Sequence, residues 1–252
     1  MINIFIILFY TGVIYLLIAI FEKSKLIKPG EKISPGDGNI IRSFSWQSNG
    51  LTKNYLLRCE VLLNEDTYQQ AAASLVNDDP GKTKMFSAKD NFSVAKEEIS
   101  HNEFGSGSNA VGQVVNYLKE YANSEFLSTY ELTNIILSFV HEQCIKYEYD
   151  KNSTGYDEYF RYPVETIYDQ VGDCDCKSIL GCSIFKAFKV QVAFVIMPGH
   201  AAVAITFDEP PLFANITMNG KPWFYCESTG DNWRPGQLPE GIDINSVELQ
   251  EI

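Results

Sequence analysis

The chain has 252 residues, of which 45% are hydrophobic and 21% charged, an ordinary composition for a globular protein with a sizeable core. The net charge of −12 argues against a nucleic-acid-binding surface, which needs clustered lysine and arginine. Six cysteines are too sparse for a disulfide scaffold in a chain of this length.

The first predicted element is an apolar helix over Ile2–Phe21, which contains no charge and whose clearly polar residues are Asn3 and Thr11. Twenty helical residues span about 30 Å, the thickness of a bilayer core. A cleaved signal peptide is the alternative, but it would have basic residues before a shorter apolar run and small residues at a cleavage site. We therefore expect a retained transmembrane anchor over residues 1–22.

Basic residues predict the orientation of this anchor. No basic residue precedes it, and four lysines follow it within a dozen positions: Lys23, Lys25, Lys28 and Lys32. The positive-inside rule then predicts a single-pass membrane protein with its domain in the cytoplasm and its N-terminus outside. The extracytoplasmic orientation is the alternative, and any partner protein in the membrane is unknown.

After the anchor, residues 23–40 are rich in Pro, Gly and charge and are predicted to be a linker. Asn49-Gly50 then separates two alternating apolar runs, which is the pattern of a β-hairpin. The stretch EDTYQQAAASLV is a short helix candidate, and Phe86–Ser108 is predicted to be mainly loop. Residues 41–252 form one predicted domain, with its core over 108–240.

Two helices and then a helix with three strands follow in the core of that domain. Asn109–Ala122 has an apolar stripe, and Ser128 to Ile145 begins with a capping box of Ser128 and Glu131. A further helix begins at about Asp175, and strands are predicted over Val190–Met197, Ala201–Phe207 and Trp223–Glu227. This order predicts an α+β fold in which the cysteine-bearing helix packs against an antiparallel sheet.

Cys174 lies where a polar turn becomes that helix. Unpaired N–H groups and the helix dipole favour an anion at this position, so we expect a bias toward thiolate. His200 opens a strand on the face of Ala202 and Ala204, small residues that would leave room for the helix end. Glu227 ends a mostly apolar strand and could orient the histidine. Spacing alone also fits a buried cysteine, a strand-end histidine and an exposed glutamate.

The remaining histidines and cysteines suggest structural roles. His101 lies in a polar loop, and His141 lies within a helix, where a surface or satisfied structural role is expected. Cys59, Cys144 and Cys182 are expected to be packing residues. A zinc site of Cys174, Cys176, Cys182 and His200 is the main alternative, although Cys-x-Cys fits structural zinc poorly. A disulfide among these cysteines is disfavoured by the predicted compartment.

The motifs YPVETIYDQVGDCDCKSIL, PGHAAVAI and WFYCESTG resemble the transglutaminase-like (papain-like) cysteine superfamily, in particular its bacterial and archaeal domains. The resemblance implies that Cys174 is the nucleophile, His200 the base and Glu227 the orienting acid. It implies thiolate attack on a carboxamide or peptide carbonyl to give a thioester. The backbone N–H of Cys174 would be one oxyanion donor, and Gln170 is a candidate for the second.

The chain departs from the family pattern at Cys176, where an acid is common. Its thiol is expected either to turn into the core or to form a reversible disulfide. The predicted function is a cysteine hydrolase with a protein or peptide substrate, in which transfer to an amine is an option. We expect no cofactor and no metal. The alternative is a non-catalytic module of the same family that serves as a membrane-tethered binding or scaffold protein.

Overall fold

The structure is a computed structural model that describes residues 38–51, 53–77, 110–207, 216–218, 220–243 and 246–252. These residues belong to one compact unit that extends from Pro35 to Ile252. The predicted anchor over Ile2–Phe21, most of the linker, His101 and the loop Phe86–Ser108 lie outside the described residues.

The prediction of a membrane-spanning helix is corrected for the part of the chain that the structure describes. Among the residues that it describes, no helix is both long and apolar enough to cross a membrane. The longest of them, Ala110–Glu125, has 16 residues, whereas a bilayer core requires roughly 20. The transmembrane part of the fold-class prediction and the single-pass membrane localisation, with the orientation derived from it, are therefore not supported by the structure.

A β-hairpin opens the described chain. Strands β1 (Asn39–Asn49) and β2 (Asn54–Asn64) pair antiparallel, and their alternate side chains are buried, which confirms the predicted hairpin. The turn is closed by a hydrogen bond from the Gly50 N–H to the Lys53 carbonyl, 2.9 Å long. A Cβ at position 50 would lie 2.5 Å from that carbonyl oxygen. Glycine is therefore required at this position by the close approach of the backbone.

Six helices are described, two of them short. They are α1 (Glu65–Asn77), α2 (Ala110–Glu125), α3 (Thr129–Val140), α4 (Asp150–Ser153), α5 (Pro163–Asp169) and α6 (Cys174–Ala187). The predicted capping box of Ser128 and Glu131 is confirmed at the start of α3. That helix ends at Val140 instead of Ile145, because the His141 backbone becomes extended. The sequence pattern did not indicate α4 or α5.

A five-stranded sheet supports α6. Its strands are β5 (Val192–Met197), β6 (His200–Ile205), β7 (Ile216–Met218), β8 (Lys221–Cys226) and β9 (Glu248–Glu251). Their order is β7-β8-β6-β5-β9, and neighbouring strands are antiparallel. Two further strands, β3 (Lys146–Tyr147) and β4 (Val171–Gly172), form a short parallel pair just before α6.

The helix α6 packs on one face of this sheet. Gly181 allows the close approach, since a Cβ there would lie 3.3 Å from Val203 Cγ2. Ala202 and Ala204 belong to the opposite face, where they pack with Trp223 and Tyr225. The prediction that these alanines make room for the helix is therefore wrong: in a strand, residues 201, 203 and 205 point the other way.

Candidate active site

Cys174 is the first residue of α6. Asp173 caps this helix, and its carboxylate accepts a hydrogen bond from the Cys176 N–H at 3.3 Å. All six cysteines are free, and Cys174 is half-buried whereas the other five are buried. Burial confirms the packing roles expected for Cys59, Cys144 and Cys182. Cys174 is thus the least buried of the six cysteines.

The first residue of α6 contacts the residues next to both predicted partners. The Cys174 carbonyl accepts hydrogen bonds from Ser178 Oγ at 2.6 Å and from Ser228 Oγ at 3.5 Å. The two hydroxyl groups are themselves 2.7 Å apart. The Cys174 thiol also accepts a hydrogen bond from the backbone N–H of Ala201. Cys174 therefore touches the residue that follows Glu227 and the residue that follows His200.

His200 and Glu227 form a direct pair. His200 Nε2 lies 3.0 Å from both carboxylate oxygens of Glu227. Glu227 is only 2% exposed, and it also accepts hydrogen bonds from the Tyr225 hydroxyl at 2.6 Å and from the Thr229 N–H and Oγ1 at 2.9 and 2.7 Å. Nε2 is committed to Glu227, so Nδ1 is the ring nitrogen left for a proton from another group.

The pKa of Glu227 is set by burial on one side and by its hydrogen bonds and the charge of His200 on the other. Burial alone would raise its pKa, but the bond and charge of His200 and the bonds from Tyr225 and Thr229 outweigh burial and lower the pKa to about 2. The carboxylate is thus ionised at any pH near neutrality. An exposed glutamate, the alternative that spacing left open, is not what the structure contains.

The ionisation of Cys174 runs against the expectation from its place in the helix. Burial raises the pKa of the Cys174 thiol, and the charges of Asp175 and Asp173 raise it further. The backbone N–H groups of Ala201 and Asp175 act in the opposite direction but do not compensate. The predicted bias toward thiolate is therefore wrong for the resting site, because burial and two adjacent carboxylates exceed the effect of the helix N-terminus.

His141 binds the backbone of Glu227, a contact that the sequence did not indicate. The side chain is 2% exposed, and its Nε2 lies 2.9 Å from the Glu227 carbonyl oxygen, to which the neutral ring donates. Burial lowers the pKa of His141, which keeps the ring neutral. The position of His141 directly after the apolar stripe of α3 indicates that its side chain is buried, but it does not indicate that Glu227 is its partner.

Lys177 is a second residue whose place the sequence did not indicate. Its side chain is fully buried one turn after Cys174, with Nζ 3.6 Å from Glu142 Oε1 and 5.8 Å from the centroid of the Tyr147 ring. Burial lowers the pKa of this ammonium group. The charge of Lys177 also acts on His141, whose pKa it lowers further.

Cys176 turns into the core, one of the two outcomes expected for it. Its thiol is fully buried, donates to the Tyr159 carbonyl at 3.3 Å and accepts from the Arg161 N–H at 3.4 Å. The alternative zinc site of Cys174, Cys176, Cys182 and His200 does not form among the described residues. Cys182 instead directs its sulfur to the Ala193 carbonyl at 3.8 Å.

Acidic residues crowd the same end of α6. Asp150, Asp173 and Asp175 are buried, and Glu158 is half-buried beside them. Burial raises the pKa of Asp150 to about 8, and the charge of Asp173 adds to this effect. Burial and the charge of Asp173 also raise the pKa of Asp175.

Gln170 lies at the end of α5, four residues before Cys174. It has a positive φ of 57°, and its carbonyl accepts a hydrogen bond from the Lys146 N–H at 2.8 Å, which joins β3 to β4. These contacts concern its backbone. The role of its side chain as the second oxyanion donor stays a prediction.

Comparison with known proteins adds no assignment. No family model matches this chain, and no curated protein matches it. The resemblance to transglutaminase-like domains therefore rests on the sequence motifs around Cys174, His200 and Glu227 alone, and it stays a prediction.

Proposed function

We propose that the protein is a cysteine hydrolase that cleaves carboxamide or peptide bonds through Cys174, His200 and Glu227. One observation carries the proposal: a buried, ionised Glu227 holds His200 by its Nε2 at 3.0 Å, and the thiol of Cys174, at the N-terminus of α6, contacts the backbone N–H of the next residue, Ala201. A nucleophile, a base and a group that orients the base are the parts that thiol catalysis requires.

The raised pKa of Cys174 assigns the first step to His200. The thiol does not ionise by itself at neutral pH, so the His200 Nδ1 takes the proton from Sγ as sulfur attacks the carbonyl carbon. Glu227 stabilises the imidazolium that forms and holds the ring in the orientation that transfer needs. The tetrahedral intermediate carries its negative charge on the former carbonyl oxygen.

The helix start then stabilises that oxygen. The first N–H groups of a helix lack intrahelical acceptors, and the Cys174 N–H is one of them. It would donate to the oxyanion, with Gln170 as the candidate for a second donor. His200 then protonates the departing amine, which breaks the C–N bond and leaves a thioester on Cys174.

Water is the expected second nucleophile, since hydrolysis requires no separate amine-binding site. His200 takes a proton from water, hydroxide adds to the thioester, and the acid and the free thiol are released. A protein or peptide is the proposed substrate class. An amine acceptor in place of water would give transfer by the same steps.

A non-catalytic binding module is the second candidate, and one observation favours it. Burial, Asp175 and Asp173 all raise the pKa of Cys174, the direction expected for a structural thiol rather than a nucleophile. The two functions differ in whether His200 accelerates the reaction of Cys174.

A library of peptide vinyl sulfones at neutral pH tests the proposal. Intact-mass and peptide mapping should show one adduct, located on Cys174 and missing in Cys174→Ser. Because general-base catalysis contributes about 10²–10⁴ in rate, His200→Ala should slow adduct formation by at least about a hundredfold. Circular dichroism would show that the variant is folded. Equal labelling rates in the wild type and His200→Ala would contradict the proposal and favour the binding module.

A further inference from the structure

A polar recess lies between the end of β1, α3 and the segment that follows β8. Its volume is about 320 Å³, which includes its opening to solvent. Small-molecule sites have volumes of about 300 Å³ and above, so the recess suits a small ligand. Cys174, His200 and Glu227 are not among the described residues that line it. The lining side chains include Ser48, Asn134, Ser138, His141, Asn232 and Arg234.

Hydrogen bonds between distant segments fix the wall of this recess. Asn49 Nδ2 donates to Asn232 Oδ1 at 2.9 Å. The Gln143 side chain pairs with the backbone of Gln47, since its Oε1 accepts the N–H at 2.8 Å and its Nε2 donates to the carbonyl at 3.1 Å. The wall is therefore built from three parts of the chain, and a largely preformed wall is typical of a ligand site.

Two buried polar groups of the lining lack a hydrogen-bond partner. Ser48 is 2% exposed and Asn134 is 6% exposed, and neither Ser48 Oγ nor Asn134 Nδ2 forms a hydrogen bond within the part of the chain that the structure describes. The Asn134 amide also lowers the pKa of the Tyr130 hydroxyl, but an amide NH₂ carries two hydrogens. A buried polar group left unpaired is costly, so both groups call for a partner in the recess.

The charge of the recess is positive. Arg234 is exposed and lines it, and its guanidinium forms no ion pair with any described residue. No aspartate or glutamate is among the described residues of the lining, although the whole chain has a net charge of −12. The recess thus combines an arginine without a counter-charge with two unused buried groups.

We propose that this recess binds a small carboxylate through Ser48, Asn134 and Arg234. The planar guanidinium matches the two oxygens of a carboxylate, and the hydroxyl and the amide NH₂ donate to lone pairs that remain. A carboxylate satisfies all three groups at once. The site lies outside the candidate catalytic residues and does not depend on the proposed hydrolase function.

Two other occupants fit these groups less well. An ordered water would satisfy Ser48 and Asn134, but it brings no charge for Arg234. A metal cation would face the charge of Arg234 and no carboxylate of the described lining. An inorganic oxyanion has the required charge, and the experiment therefore includes one.

Saturation-transfer NMR with the whole chain at neutral pH tests the site. N-acetylglycine should give a saturable signal, and its uncharged analogue N-acetylglycinamide should bind at least about tenfold more weakly, because hydrogen bonds to a charged group are the stronger ones. Sodium sulfate at matched ionic strength should displace N-acetylglycine only weakly. Equal binding of the acid and the amide, or no saturable signal, would overturn the proposal, as would displacement by sulfate at the concentrations at which N-acetylglycine itself binds.

Variants separate binding from folding. Arg234→Gln and Ser48→Ala should each weaken N-acetylglycine binding by about tenfold or more. Arg58→Gln, on the exposed side of β2, is the matched control and should bind as the wild type does. Since the Ser48 hydroxyl has no partner in the protein, urea unfolding of Ser48→Ala without ligand should show no loss of stability. Binding unchanged in Arg234→Gln, or weakened equally in Arg58→Gln, would overturn the proposal.

Discussion

Replacing Glu227 with Gln should remove a defined part of the pH dependence of stability. The pKa of Glu227 is lowered from its ordinary value of 4.5 to about 2, which corresponds to about 3 kcal/mol of stability at neutral pH. Because the folded-state pKa is the lower one, the unfolded chain binds more protons between these values. The contribution is therefore complete above pH 4.5 and is lost as the pH falls toward 2.

Urea denaturation between pH 7 and pH 3 measures this effect. From pH 5 to pH 3, the wild type should lose about 2 kcal/mol of unfolding free energy that Glu227→Gln does not lose. At pH 7 the variant should be less stable, since an amide nitrogen would face the hydroxyl donors of Tyr225 and Thr229. Glu60→Gln, on the exposed side of β2, is the control and should follow the wild type. A constant difference between wild type and Glu227→Gln at every pH would refute the reasoning.

Three further substitutions test packing and caps by the same denaturation assay. Ser128→Ala removes the cap that accepts the Glu131 N–H, so the unfolding free energy should fall by about 1 kcal/mol; no change would mean that the box does not stabilise α3. His141→Ala leaves the Glu227 carbonyl without its donor and should cost about 2–3 kcal/mol, partly recovered in His141→Gln. Phe126 is 92% exposed and has a φ of 52°, a backbone conformation that glycine adopts more easily. Phe126→Gly should therefore raise the unfolding free energy by about 0.5–1 kcal/mol. A lower unfolding free energy in this variant would show that the positive φ does not destabilise the fold.

Local sequence patterns predicted the elements whose structure depends on residues close together in the chain. Alternation and Asn49-Gly50 located the hairpin, and the box of Ser128 and Glu131 located the start of α3 to the residue. The candidate site was predicted from a cysteine at a turn-to-helix junction, followed by a histidine and an acid at the ends of predicted strands. These residues are Cys174, His200 and Glu227. The structure pairs the last two directly.

The rest depends on contacts between distant segments. The end of α3 was predicted too late in the chain. His141 leaves the helical conformation, and its side chain binds the carbonyl of Glu227, 86 positions away. The ionisation of Cys174 was predicted in the wrong direction, since its burial and its neighbours Asp173 and Asp175 act together only in the folded chain. Residues that meet across such distances leave no periodic signal in the sequence.

The last strand of the sheet has a consequence for solubility. β9 pairs with β5, whose residues Val192–Met197 are all apolar. Without β9, the unpaired N–H and C=O groups of β5 would be open to a strand of another molecule, the usual start of aggregation. β9 itself presents exposed Glu248 and Glu251, and charges on an edge strand oppose such pairing. Four residues thus shield the most apolar of the described strands from other chains.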